Sequence, residues 1–338
     1  MARRFVGCSV FISVILLFFA VCTATPLHII TYNTGNSSVV PNHIKRSKAF
    51  VGEFEKMILE MSAKDEYFVL FLQQVFTKDF TTDLHQLSQK HNIYMTRTYK
   101  ADSKNYNHGL VILTNFTADN ILEERFIPWE KDAYKVSRGM LTLCLNYSAN
   151  DQPFCFVNLH TAYTYRPKNG LSKIHDGQLQ QLKSYIQTIP FDTIVAGDFN
   201  LGSMQWNKNW KRNKYTKADP QIENYWENYV DEMLSVGFHL VKADQEQRSF
   251  NDKNTLVQHP GPGVTLMRVT NLEVPYYGQI DHIFFKFSTP SIELCTTNDM
   301  MFTEVYLGSG GEKFELSDHY GIAATFNLKT PATLLTKQ

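Results

Sequence analysis

The apolar positions of the chain fall into two rhythms. Residues 27–32, 67–72 and 193–196 are short, nearly unbroken apolar runs rich in β-branched and aromatic side chains, the pattern of strands covered on both faces. Residues 41–61 instead place Ile44, Phe50, Val51, Phe54, Met57, Ile58 and Met61 at three- and four-residue steps among charges, which predicts an amphipathic helix. The same period predicts helices over 81–91, over 174–186 (Leu179, Leu182 and Ile186 on one face) and over 225–236, the last stopped by Gly237. Strands over 108–113, 125–129, 139–146 and 154–159 follow one another without long helices, which suggests antiparallel meanders. Further strands are predicted over 280–285 and 321–326, and 205–219 reads as a polar loop rich in Trp, Lys and Asn. No short repeat or low-complexity linker splits the chain, so one α/β domain with a mixed, strand-rich core is the economical reading.

The ends of the apolar runs carry the chemistry. The run 193–196 meets Gly197, and then Asp198 and Asn200 follow two residues apart, where the period of a strand sends both side chains to one side. Polar groups at the rim of a buried sheet need partners, and a hard cation or a phosphate is the usual one. Asn33, Gln74, His160, and Asp318 with His319, likewise follow apolar runs, and Asp281 sits inside a run that is otherwise apolar. Any one of these is an ordinary turn or core residue. Six placements of this kind are hard to obtain from core and turns alone, and ligand sites at strand ends are the rule for such sheets.

Composition changes the picture at three points. Lys plus Arg and Asp plus Glu both number 33 in 338 residues, so no global basic field of the kind that advertises nucleic acid exists. Arg3 and Arg4 precede an apolar stretch over 5–22 and small residues at Thr23, Ala24 and Thr25, the form of a secretory signal cleaved near Ala24. An uncleaved anchor is the other reading of that stretch. With cleavage, residues 1–24 are the signal, 27–328 the domain and 329–338 a C-terminal tail. Cys144 and Cys155 lie on neighbouring predicted strands, where they either form a disulfide or are two small buried side chains, and Cys295 is left odd. Asn36-Ser37-Ser38, Asn115-Phe116-Thr117 and Asn146-Tyr147-Ser148 fit the glycosylation acceptor pattern.

The ordered set Thr31-Tyr32-Asn33, Phe71-Leu72-Gln73-Gln74-Val75, Asn158-Leu159-His160, Gly197-Asp198-Phe199-Asn200, Gln279-Ile280-Asp281-His282 and Ser317-Asp318-His319 resembles the endonuclease/exonuclease/phosphatase superfamily. The resemblance implies a DNase I-like, four-layer α/β/β/α sandwich of two mixed, largely antiparallel sheets, and metal-dependent cleavage of a phosphate ester. It implies that Asn33, Asp198 and Asn200 hold the phosphate, the attacking water or the ion, and that Asp318 helps to position the metal. It makes His319 the general base or phosphate ligand, oriented by Asp281, and has His160 stabilise the charged transition state. One position departs from the pattern. Gln74 stands where the family has the glutamate that is its main magnesium ligand, and an amide oxygen is a poorer ligand for a hard cation. Three readings follow: weaker binding of Mg2+, Mn2+ or another divalent cation; a nearby carboxylate that substitutes; or a relative that binds without catalysing.

Within the superfamily the details look most similar to secreted neutral sphingomyelinases. Ser137-Arg138-Gly139-Met140-Leu141, Phe71–Phe76 and Ser317-Asp318-His319-Tyr320 carry that similarity. It implies a secreted enzyme that hydrolyses sphingomyelin or a related phospholipid at a membrane surface; a secreted DNase I-like nuclease is the alternative. Trp206, Lys208, Trp210, Lys211, Arg212 and Lys214 have a composition suited to a membrane interface or to nucleic acid, and Met300, Met301 and Phe302 form an apolar knot. Both stretches are also readable as surface and core. No protein partner is evident.

Overall fold

A computed structural model describes residues 24–36, 43–98, 100–101, 106–131, 138–147, 152–162, 173–202, 204–209, 214–216, 220–242, 276–278, 280–288, 292–301, 305–307, 313–317 and 319–329. The chain runs β1 (Ala24–Asn33), α1 (His43–Ala63), β2 (Tyr67–Gln73), α2 (Lys78–Lys90), β3 (Tyr94–Met95), β4 (Lys100–Ala101), β5 (Tyr106–Asn107) and β6 (Val111–Thr114). It continues through β7 (Ile121–Pro128), β8 (Gly139–Tyr147), β9 (Gln152–His160), α3 (Lys173–Gln187), β10 (Asp192–Asp198), β11 (Met204–Asn209), β12 (Lys214–Thr216) and α4 (Pro220–Ser235). The last strands are β13 (His239–Leu240), β14 (Tyr276–Gly278), β15 (Asp281–Lys286), β16 (Ile292–Met301), β17 (Val305–Leu307), β18 (Lys313–Glu315) and β19 (Gly321–Lys329).

Two six-stranded sheets dominate, ordered β16-β19-β1-β2-β6-β3 and β13-β15-β10-β9-β8-β7. Their apolar runs alternate by face. Leu27, Ile29, Val69 and Phe71 of one sheet meet Leu141, Leu143, Phe156, Ile194 and Ala196 of the other in a core between the sheets. The opposite faces take Ile30, Phe68 and Leu70 against Phe50 and Phe54 of α1 and Phe80 of α2, and Val157 and Val195 against Leu179 and Leu182 of α3 and Met233 of α4. This is the α/β/β/α sandwich that the resemblance implied. It explains the unbroken runs, since each strand is covered twice, and burying one such side chain contributes roughly 1.5–3 kcal/mol.

The topology of the two sheets repeats. β1-α1-β2 and β9-α3-β10 are parallel pairs joined through a helix. Each pair is flanked by antiparallel strands, β19 and β6 in one sheet, β8 and β15 in the other. The carboxyl ends of four strands therefore gather at one rim. Antiparallel β15 and β19 bring their amino ends to the same place, with Asp198 opposite Asp281 and Thr31 opposite Ile322.

Three sequence expectations change here. Residues 205–219 are not simply a loop, because β11 pairs with both β12 and the distant β14, a tertiary contact that local polarity hides. Cys144 and Cys155 sit in register on β8 and β9 and form a disulfide, their Cα atoms 4.1 Å apart. Closing a loop of 11 residues is worth about 3 kcal/mol if the gain is entropic. Met301 is partly buried against the α1–α2 side of the core, and Phe302 lies outside the described residues. Residues 1–23 of the expected signal over 1–24 also lie outside them, while Ala24 opens β1, and among the described residues no helix is long and apolar enough to cross a membrane.

Candidate active site

Asp198 is the hub of the rim. Gly197 before it has φ +154°, and a Cβ at that position would meet the Leu159 carbonyl oxygen at 2.2 Å. Only glycine lets β10 lie this close to β9, which delivers Asp198 beside His160. The two oxygens of Asp198 then divide their work. Oδ1 accepts the backbone N–H of Asn200 at 2.8 Å, forming an Asx-type turn with Asn200 at φ +47°. Oδ2 faces the site, accepting from Asn33 Nδ2 at 2.8 Å and lying 3.4 Å from His160 Nε2 and 4.0 Å from His319 Nε2. Asn200 therefore does not share a strand face with Asp198, because β10 ends at Asp198. The Asn200 side-chain amide donates to the Thr161 carbonyl at 3.1 Å.

The second carboxylate, Asp281, opens β15 rather than lying inside it, and is fully buried. Its Oδ2 lies 2.8 Å from Nδ1 of His319. A carboxylate only accepts, so His319 carries its proton on Nδ1 and presents the Nε2 lone pair to the site, 3.5 Å from Asn33 Nδ2. Ser317 fixes this loop by donating to the Asn33 carbonyl at 2.6 Å and accepting from the His319 amide at 3.2 Å.

Burial first, and then the neighbouring Asp281, push the carboxyl of Asp198 up to about 7, against the lowering pull of His319 and of hydrogen bonds from Asn200 and Asn33. His160 is held well below the usual histidine range by burial, then by Arg138 and His319. It faces Asp198 as a neutral ring, not as half of an ion pair. Arg138 lies with Nη1 3.3 Å from His160 Nε2 and donates to the Thr161 carbonyl at 2.8 Å. Trp129 holds the His160 carbonyl at 2.9 Å.

Asn33, His160, Asp198, Asn200, Asp281 and His319 therefore meet at one rim. Asp318 lies outside the described residues. Gln74 follows β2 at φ +58°, half-buried, and its side chain makes no hydrogen bond among the described residues. Among the described residues, the acid and histidine atoms able to surround an ion belong to Asp198, Asp281 and His319, all within 4.8 Å of one another. Two buried carboxylates this close, one with a raised affinity for protons, are a place where positive charge is favourable, so the donor set fits a divalent cation.

Several residues that build the site have no role in the sequence reading, though Gln73, Asn158 and His282 stand in its motifs. Gln73 Nε2 donates to Asn158 Oδ1 at 2.8 Å, and Asn158 Nδ2 donates to the Leu72 and Val111 carbonyls at 2.9 Å, tying the sheets beneath the rim. Buried Arg46 of α1 holds the carbonyls of Leu316, Thr34 and Gly35. His175 of α3 donates to the Phe199 carbonyl at 2.8 Å, and His282 donates to that of Leu201 at 2.7 Å, one on each side of Asn200. His175 did leave a signal, since it falls one turn before Leu179 on the buried face of its helix.

These rings set an acid limit on stability. Burial takes His108 down to about 3 and His175 to about 4, and His160 is lowered too. A depressed histidine contributes stability that is complete above about 6.5 and is lost as pH falls toward its folded value, because the unfolded chain takes up the proton first. Asp198 acts oppositely, since its raised pKa favours the fold at low pH and loses that effect as pH rises toward 7. Three groups against one predict that stability of chelator-treated protein falls between about pH 6.5 and pH 4. Urea unfolding at several pH values checks this, and a flat or rising profile toward acid contradicts it.

No family model matches the chain, and no curated protein matches its sequence. Solved structures do match. D. rerio TDP2 complexed with single strand DNA product superposes with TM-score 0.58 at 18% identity, covering 89% of this chain and 99% of that one. Sphingomyelinase C from Streptomyces griseocarneus gives 0.55 at 13%, covering 89% and 99%. An endonuclease/exonuclease/phosphatase family protein from Bacteroides thetaiotaomicron gives 0.53 at 15%, covering 91% and 99%. The chain has the DNase I-like fold of the endonuclease/exonuclease/phosphatase superfamily. Identities this low carry the fold and leave the substrate open.

Proposed function

We propose that the chain is a secreted, metal-dependent phosphodiesterase that hydrolyses sphingomyelin or a related phospholipid by in-line attack of water. The observation that carries the reaction class is the convergence of Asp198, Asp281, His160 and His319 with Asn33 and Asn200 at one buried rim. Asp198 would hold the cation, with Asn33, Gln74 and Asp318 as the ligands that the superfamily pattern adds, which leaves His319 Nε2 free. When bound, the cation supplies positive charge at the phosphate oxygens and acidifies a water. His319, held by Asp281, takes the proton of the attacking water at Nε2. Asn33 Nδ2 donates to a phosphate oxygen, and the Arg138 cation acts through His160 on the charge that develops there. The ester oxygen departs opposite the water with the electron pair of the broken P–O bond and takes a proton from solvent to become the alcohol.

The lipid reading rests on the sphingomyelinase-like stretches around Arg138 and His319, on the signal-like N-terminus and on the balanced charge. The likeness to TDP2 holding single strand DNA supports a nuclease as the second reading. Labelled sphingomyelin, phosphatidylcholine, single-stranded DNA and plasmid, each with magnesium, manganese or chelator, separate the two. Choline phosphate release that chelator stops is expected; DNA cleavage without lipid hydrolysis selects the nuclease.

Gln74→Glu restores a charge to an uncommitted side chain and is expected to raise magnesium-dependent hydrolysis at least about tenfold, a change of about 1.4 kcal/mol in barrier. A variant that binds magnesium yet stays as inert as the wild type on lipid and DNA would leave a binding protein on this fold.

A further inference from the structure

Three asparagines fit the acceptor pattern for N-linked sugar, and the structure treats them differently. Asn36 is 2% exposed, in the loop that leaves Asn33. Its Nδ2 donates to Ser47 and its Oδ1 accepts from Thr77, and at this burial a sugar on that nitrogen has no space. Asn115 is half-buried and braces the start of β2. Its Nδ2 donates to the Glu66 carbonyl at 2.8 Å, and its Oδ1 accepts the Phe68 amide at 2.9 Å. A sugar there would have to grow out of that brace.

Asn146 is different. It is exposed, and its side chain makes no hydrogen bond among the described residues. Its backbone is fixed, because Asn120 Nδ2 donates to its carbonyl at 2.9 Å and the Cys144–Cys155 disulfide lies two residues inward. It pairs with Pro153, near the end of the β8–β9 hairpin away from His160. Seven residues of strand, roughly 23 Å, separate it from the rim that carries the candidate site.

We infer that Asn146, alone of the three, carries an N-linked oligosaccharide in the folded, secreted protein. The donor is an oligosaccharide on a lipid diphosphate. The Asn146 amide nitrogen bonds to the anomeric carbon, the bond from that carbon to the diphosphate oxygen breaks, the lipid diphosphate leaves and the amide gives up one proton. Transfer acts on the chain before it folds, so Asn36 or Asn115 can be offered too. A sugar at Asn36 blocks the fold, and one at half-buried Asn115 crowds the start of β2, which keeps both out of the folded product. At Asn146 the sugar stands clear of the substrate rim.

The inference rests on passage through a secretory compartment, not on the proposed reaction, and one experiment separates them. The full chain is expressed in a eukaryotic secretory host, with a parallel arm in which residues 1–23 are replaced by the leader of a host protein. Secreted protein is enzymatically deglycosylated in heavy-oxygen water, which leaves an isotope-marked aspartate wherever a sugar stood, and is mapped by mass spectrometry. The mark is expected at 146 and absent at 36 and 115, and Asn146→Gln removes it while lipid hydrolysis stays within about twofold. A mark at 36 or 115, or no mark in protein secreted from the host-leader arm, overturns the inference. Success only with the host leader supports the site and counts against the chain's own N-terminus as a signal.

Discussion

Asp198→Asn lowers hydrolysis by about a thousandfold and changes unfolding free energy by no more than about 1 kcal/mol. The first figure follows from charge. Loss of a carboxylate that positions the reacting groups removes preorganised electrostatics, typically worth 10²–10⁴. The second follows from opposing local effects. An asparagine Oδ1 still accepts from the Asn200 amide, so the turn survives. Its Nδ2 then meets the donating Nδ2 of Asn33 and forfeits that hydrogen bond, a loss of about 1 kcal/mol. Against this, the variant no longer buries a carboxylate beside Asp281, the arrangement that pushes Asp198 up to about 7. A group that the fold holds against its own preference is kept for what it does. Steady-state turnover paired with urea unfolding above pH 7 checks both figures. Hydrolysis within tenfold of wild type, or a loss of several kcal/mol in stability, would return Asp198 to the ranks of structural turn residues.

Much of the arrangement could be read from the chain, and the remainder escaped for identifiable reasons. The long apolar runs and the helical steps over 41–61 are local signals, and β1, α1, β2, α3 and β10 all appear where those signals put them. Asp198, His160 and Asn33 were legible because each ends a buried parallel strand. His319 stands ahead of the last strand, as the pattern over 321–326 implies, and Asp281 lies one residue nearer its strand's start than expected; no local pattern reveals that β15 and β19 run antiparallel and reach the rim by their amino ends. The supporting residues were the least legible. Arg46 and His282 act on backbone carbonyls, which leave no mark in a sequence, and Arg46 reaches 270 residues along the chain to Leu316. The open choice at Cys144 and Cys155 was a choice of register, and register is a property of two strands together.

The same dependence on remote pairing bears on the largest test of mechanism. Asp281→Asn is expected to slow hydrolysis 10²- to 10⁴-fold, with little change in KM. The wild-type carboxylate accepts from Nδ1 of His319 and keeps the Nε2 lone pair free to take a proton. A carboxamide can donate to Nδ1 instead, which moves the ring proton to Nε2 and turns a base into a donor; a tautomer error of this kind costs about 10⁴ in a serine protease triad. Loss of packing alone would not produce this signature, because Asn and Asp have nearly the same shape. The decisive readout is a double variant. If Asp281 acts through His319, then Asp281→Asn with His319→Ala is no slower than His319→Ala alone, since the orienting residue has nothing left to orient. If the two losses multiply, Asp281 has a separate role, and its place 4.8 Å or less from the Asp198 and His319 ligand atoms makes cation binding the first candidate.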